Sequence, residues 1–210
     1  MSSTSSGAVG ATGRRSDLRT QIDDLTSIIA GNEVLWRVLH GVASVGLADY
    51  YVAGGCVVQT VWNHQVGSPP MYGITDIDLV YFDDSDLSLA AEDAVIAQIR
   101  TAVGPSVAID IKNEARVHLW YKDRFGFDIV PYTSVEDAIS TWPSAAFCIG
   151  VRLDGDIMRV YAPFGLGDVF GMVVRPNTTS AAEDIYAAKA KAWMAKWPSL
   201  TVIPWMGEWS

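Results

Sequence analysis

The sequence predicts an α/β fold of the α+β kind: a small mixed sheet flanked by helices, with a C-terminal elaboration of strands and a final helix. Three observations carry that prediction. Leu18, Ile22, Leu25 and Ile29, and then Leu35, Val38, Leu39 and Val42, recur at helical spacing. Val107 to Lys112 alternates, with Ala108, Asp110 and Lys112 on one face and Val107, Ile109 and Ile111 on the other. Gly54-Gly55 stands between a short apolar strand and a helix-like stretch, so that strand, glycine turn and helix follow one another.

Each element follows in chain order. Residues 1 to about 15 are mostly Ser, Thr, Gly and Ala with two arginines; too poor in bulky apolar groups to offset the entropy of ordering, they form an expected disordered tail. The remainder, 16–210, is expected to be a single domain with a core over about 35–125 and the elaboration over about 126–210. The first helix stops at Gly31, and the second starts after Asn32 and stops near Gly46. Asp49 to Ala53 reads as a strand, and Cys56 to His64 as the helix after the glycines. Gln65 to Gly73, with Pro69 and Pro70, is a loop; Ile74 to Tyr81 is the next strand. A polar turn at Asp83 to Asp86 leads into a helix marked by Leu89, Ile96 and Ile99 and ending near Gly104. The alternating strand from Val107 continues through Arg116, His118 and Trp120 if it runs past Asn113-Glu114. Ser134 to Ile139 is a short helix, and Ala146 to Leu153 and Ile157 to Ala162 are strands around the turn Asp154-Gly155. Pro163 to Gly167 is a loop. In the last helix Ser180 and Glu183 form a capping box, Tyr186, Ala190, Trp193 and Trp197 form the apolar stripe, and Pro198 ends it.

Composition narrows the function. Of the 210 residues half are hydrophobic and 19% charged, with a formal net charge of -9 and a pI near 4.6. That balance opposes a long nucleic acid, whose affinity comes from Lys and Arg neutralising phosphates, but leaves room for a single nucleotide escorted by metal ions. No apolar run reaches membrane-spanning length and no signal peptide is evident, so a soluble, cytoplasmic protein is expected, with no membrane partner. Cys56 and Cys148 lack metal-ligand spacing and read as buried, reduced thiols, with no zinc expected.

The chemistry concentrates in Ile74-Thr75-Asp76-Ile77-Asp78. On a strand Asp76 and Asp78 share one face at roughly 7 Å, and heads converging to about 4 Å repel by about 4 kcal/mol at a surface-like dielectric. A divalent cation removes that repulsion; the alternative is a solvent-facing pair that caps turns. Asp110 adds a third carboxylate on a later strand.

Together with Gly54-Gly55, these acids resemble the signature of the nucleotidyltransferase superfamily, the fold of DNA polymerase β: an apolar strand, a glycine turn opening a helix, two acids one residue apart, and a third acid on a later strand. Lys112-Asn113-Glu114-Ala115-Arg116-Val117-His118, Trp142-Pro143, Ala162-Pro163-Phe164-Gly165-Leu166 and Val174-Arg175-Pro176 further resemble a narrower bacterial family of nucleotidyltransferases, over about residues 35–198. The resemblance implies a Mg²⁺-dependent enzyme that moves a nucleoside monophosphate from an NTP, ATP among them, to a hydroxyl-bearing small molecule or protein and releases pyrophosphate. Asp76 and Asp78 would bridge two Mg²⁺ ions, and Asp110 would bind the catalytic metal and take the acceptor's proton. Gly54 and Gly55 would admit the triphosphate close to the backbone, with Lys112 meeting a phosphate or pairing with an Asp. Cys56 stands where a hydroxyl side chain would commonly help hold phosphate; the helix N-terminus supplies N–H groups for the same purpose. Gln59 and Asn63 face the nucleotide or solvent, and Trp193 and Trp197 belong to the core or to a base-stacking platform. An RNA-modifying toxin and a non-catalytic nucleotide- or partner-binding module are the competing readings, and the oligomeric state is left open.

Overall fold

The computed structural model of the chain describes residues 17–179 and 183–205. The expected disordered tail and Ser180 of the expected capping box lie outside the described residues. Helices α1 (Leu18–Ala30) and α2 (Glu33–Val45) start at Asp17 and Asn32, whose side chains accept from Thr20 N at 2.8 Å and Leu35 N at 3.2 Å. Strand β1 (Tyr50–Ala53), helix α3 (Gly55–Val66), strand β2 (Ile77–Tyr81), helix α4 (Leu89–Val103) and strand β3 (Ile109–Asn113) follow. Next come the short helices α5 (Tyr121–Phe125) and α6 (Val135–Ser140), the hairpin β4 (Gly150–Asp154) and β5 (Ile157–Tyr161), helix α7 (Gly167–Phe170), strand β6 (Val173–Val174), helix α8 (Glu183–Lys196) and strand β7 (Thr201–Val202).

The five-stranded sheet has the order β3-β2-β1-β4-β5, with β2 and β3 parallel and the other neighbours antiparallel. It is the mixed sheet that the sequence predicts. The parallel pair requires a crossover, which α4 supplies. On one face Leu79, Tyr81, Ile109 and Ile111 pack with Leu25, Leu39, Val57 and Val61 of the first three helices. On the other face Tyr51, Ala53 and Val80 pack with Val135 and Ile139 of α6. Period-two alternation along β2 therefore sends Asp78 to the thinly covered side.

The C-terminal elaboration shares the main core. Trp62 of α3 donates from Nε1 to Val169 O at 3.2 Å and meets Trp197 edge-on at 5.4 Å between centroids. Trp197 Nε1 in turn donates to Asn63 Oδ1 at 2.9 Å, and its ring closes on Gly73, where an added Cβ would lie 2.5 Å away. Among the described residues no helix is long and apolar enough to cross a membrane.

Three local expectations change, the first being the strand expected over Ile74 to Tyr81, which begins at Ile77 and leaves Asp76 just outside it. Whether the strand carrying Asp110 runs past Asn113 is open in the sequence; it does not, and Glu114–Leu119 is a 3-10 helix. Asn113 is the cause, since its Oδ1 accepts from Ala115 N and Asp83 N and its Nδ2 donates to Asp83 O at 2.7 Å, which turns the chain. The strand expected from Ala146 begins at Gly150, because Ala145–Phe147 is also a 3-10 turn. Helix α7 occupies Gly167–Phe170, beyond the expected loop; with β6 and β7 it was too short to leave a periodic pattern.

Candidate active site

The glycine turn is built around a backbone that only glycine adopts readily. Gly54 has φ 64° and ψ -123°, and a Cβ there would fall 2.5 Å from the Trp142 ring. Its N–H donates to Ile149 O at 2.8 Å, while its carbonyl receives Val57 N and Val58 N and so starts α3. Gly54 thus shapes the turn, and Gly55 is the glycine that lines the adjacent cleft. Cys56 points inward: its Sγ donates to Ala53 O at 3.3 Å, and burial, with Asp78 nearby, pushes its thiol far up. Both cysteines are buried free thiols.

Sheet register sets the acids beside this turn. Ala53 is opposite Asp78, and Asp78 is opposite Asp110, so the glycine turn and two of the acids lie in one row across three strands. Asp76 sits just before β2, exposed, and accepts from Thr75 Oγ1 at 2.8 Å. The Asp78 carboxyl is pushed up to about 6, first by burial, then by Asp76 and Asp110, against the opposing pull of Lys112 and Lys189. Asp76 and Asp78 line the cleft directly. Asp110 is half-exposed and ion-paired with Lys112, which does line it.

With Asp110 held by Lys112, the three acids do not converge as placed. Among the described residues no group of three or more His, Cys, Asp or Glu side chains is arranged around a metal position. The donor chemistry nevertheless fits a hard divalent cation: carboxylate oxygens on adjoining strands, one of them raised in pKa first by burial and then by its acidic neighbours.

The cleft encloses about 1040 Å³. One wall is α8, whose Ile185, Lys189, Ala192, Trp193 and Lys196 share a helix face; Trp193 stacks on Phe147 at 3.9 Å and 15°. Another part of the lining is aromatic. Tyr121 stacks with Trp120 at 6.1 Å and contacts Phe125 at 4.5 Å and Phe127 at 5.4 Å. Glu114 also lines the cleft, buried, with a carboxyl pushed up to about 7 by burial.

Other sequence candidates separate cleanly. Gln59 lines the cleft, and its Oε1 is buried without a hydrogen-bond partner among the described residues. Asn63 does not line it; besides receiving Trp197, it donates to Pro70 O and Tyr72 O and is structural. Arg116 is buried, ion-paired with Glu92 and donates to Leu87 O at 2.9 Å. Trp197 is core, whereas Trp193 is half-buried between core and cleft. Sequence reasoning missed Lys189 and the aromatic wall. The spacing Ile185, Lys189, Ala192, Lys196, one position round from the apolar stripe, was the available signal.

The profile of a family described as "Nucleotidyltransferase" matches residues 40–202. Among solved structures, the chain is similar to one described as "The NMR structure of the protein reveals a CCA-adding enzyme head domain". The two share 24% identity and a TM-score of 0.69, with 87% of this chain and 95% of the other covered. At that identity the likeness concerns the fold. No curated protein matches the chain.

Proposed function

We propose that this chain, which belongs to the nucleotidyltransferase family and is a transferase of nucleoside monophosphates, draws its NMP from an NTP with the help of Mg²⁺ and passes it to a hydroxyl-bearing small molecule or protein. Residues 16–210 act as one domain, since Trp62 of α3 packs on Trp193 of α8 and on Trp197 just after it. The observation that carries the reading is the register that aligns Ala53, Asp78 and Asp110 beside the glycine turn.

Asp76, Asp78 and Asp110 would hold the metal. Bound there, two Mg²⁺ ions would neutralise phosphate oxygens and stabilise the attacking and leaving oxygens. The residues of the chain supply the rest. Gly55 at the start of α3 lets the triphosphate approach the helix N-terminus, where N–H groups and the helix dipole favour anions. Lys112, beside Asp110, adds a positive charge on the floor of the cleft. Asp110 takes the proton of the acceptor hydroxyl as the new bond from its oxygen to the α-phosphorus forms and the bond to the bridging oxygen of pyrophosphate breaks. The aromatic part of the lining receives the body of the acceptor.

The test is to incubate the protein with Mg²⁺, α-labelled NTPs and candidate acceptors, and to follow label transfer and pyrophosphate release. Wild type transfers label and the Asp76→Asn, Asp78→Asn double variant does not. Equal labelling by both would refute the assignment.

A further inference from the structure

We propose that Lys189, on the cleft face of α8, binds the outer phosphates of the nucleoside triphosphate, so that the C-terminal helix completes a phosphate subsite begun by the glycine turn. The inference rests on the nucleotidyltransferase reading above and adds a residue to it.

The other cations of the cleft are engaged. Lys112 is ion-paired with Asp110, Lys196 Nζ donates to Gly73 O at 3.0 Å, and the Arg124 guanidinium lies 5.6 Å from the Phe125 ring centroid. Lys189 makes neither a hydrogen bond nor an ion pair with any described residue, and it lines the same cleft as Asp76, Asp78 and Gly55. A Lys without such a partner facing a cleft of carboxylates is a point charge available to a polyanionic ligand.

Its position favours the leaving end of that ligand. An ideal Cβ on Gly55 would stand 3.8 Å from Phe147, and Phe147 stacks on Trp193, one helical turn from Lys189. This chain of contacts runs from the start of α3 to α8 on the side of Asp78 nearer the glycine turn, away from Asp110. A triphosphate lying over the α3 N-terminus adds several negative charges next to Asp76 and Asp78. An ammonium there offsets the charge that grows on pyrophosphate as the bond to the α-phosphorus breaks.

The experiment is calorimetric titration of the full chain, in Mg²⁺, with α,β-methylene nucleoside triphosphates of each common base and with the matching monophosphates. Lys189→Ala is expected to weaken triphosphate binding about tenfold, the scale of one charge-assisted hydrogen bond, while monophosphate binding stays within about twofold. Lys189→Arg should recover most of the loss. Lys191→Ala, on an exposed position outside the cleft, should bind like wild type. An unchanged triphosphate affinity in Lys189→Ala, or equal weakening for both ligands, overturns the inference and leaves the nucleotidyltransferase reading intact. A wild-type chain that binds no triphosphate at all removes that reading, and the Lys189 assignment with it.

Discussion

The two walls of the cleft differ in kind. The wall formed by α3 and α8 offers a glycine, an amide and two lysines around a stacked Phe147–Trp193 pair. The other wall, from Trp120 to Phe127, is aromatic, with Phe125 and Phe127 39% and 45% exposed. Charged and backbone groups suit phosphates, whose recognition is electrostatic, whereas exposed rings suit an apolar or flat body that loses its hydration on binding. Asp76 and Asp78 line the same cleft, where a nucleotide held by the first group would meet an acceptor held by the second. On the proposed reading, the difference teaches that nucleotide and acceptor would be recognised by separate elements, whose contributions mutation would separate.

The strongest challenge to this division is the loss of the acids themselves. Asp76→Asn, Asp78→Asn is expected to lower transfer by about a thousandfold or more, an effect of about 4 kcal/mol. Its melting temperature should not fall, because Asp78 is a buried carboxylate with acidic neighbours and neutralising it relieves repulsion. A collapse of the fold instead would show that the pair is structural.

Next comes Gly54→Ala, which separates the shape of the turn from the chemistry of the phosphate wall. The positive φ and the Trp142 ring both oppose a Cβ, and denaturant unfolding should show a loss of about 2 kcal/mol or more. Gly55→Ala, whose Cβ would meet the Gln59 side-chain amide at 3.2 Å and Phe147 at an ordinary 3.8 Å, should unfold close to wild type. Equal destabilisation by the two would mean that Trp142 yields.

Truncating the aromatic wall has a smaller expected effect. Phe125→Ala, Phe127→Ala should raise the acceptor KM about tenfold and leave triphosphate affinity unchanged, since both rings belong to the aromatic part of the lining and not to the α3 and α8 part that holds Gly55. Weakened triphosphate binding would exchange the roles of the walls.

The smallest effect concerns Glu114, in the same cleft. Its folded carboxyl is raised to about 7 from 4.5, so the folded chain binds more protons than the unfolded chain in that window and stability falls as pH rises through it. Glu114→Gln should therefore gain about 1 kcal/mol or more over wild type at pH 8 and nothing at pH 4, by unfolding titrations at the two values. A gain independent of pH would exclude burial of the charge as its cause.

The legible parts of the site were those written in local pattern. Asp76, Asp78 and Asp110 sit in segments that alternate apolar and polar residues, and Gly54 breaks a short strand. These features need no distant contact to be seen. Lys189 was invisible as a site residue because its meaning depends on where α8 lands against a sheet far away in sequence. The burial of Glu114 beside the acids was not legible, because it depends on the Asn113 side chain, whose hydrogen bonds to Asp83 turn the backbone. Gln59 and Asn63, one turn apart and alike in chemistry, were indistinguishable until Trp197 took Asn63 into the core.

Periodicity and glycine placement sufficed for the helices, the acid-bearing strands and the turn between β1 and α3, since each reflects steric preferences that act over a few residues. Packing had to settle the strand order, the register that puts Asp110 beside Asp78, and the polar and aromatic walls. Those depend on long-range burial of Trp62, Phe147, Trp193 and Trp197 in one cluster, a free energy that exists once distant segments have met.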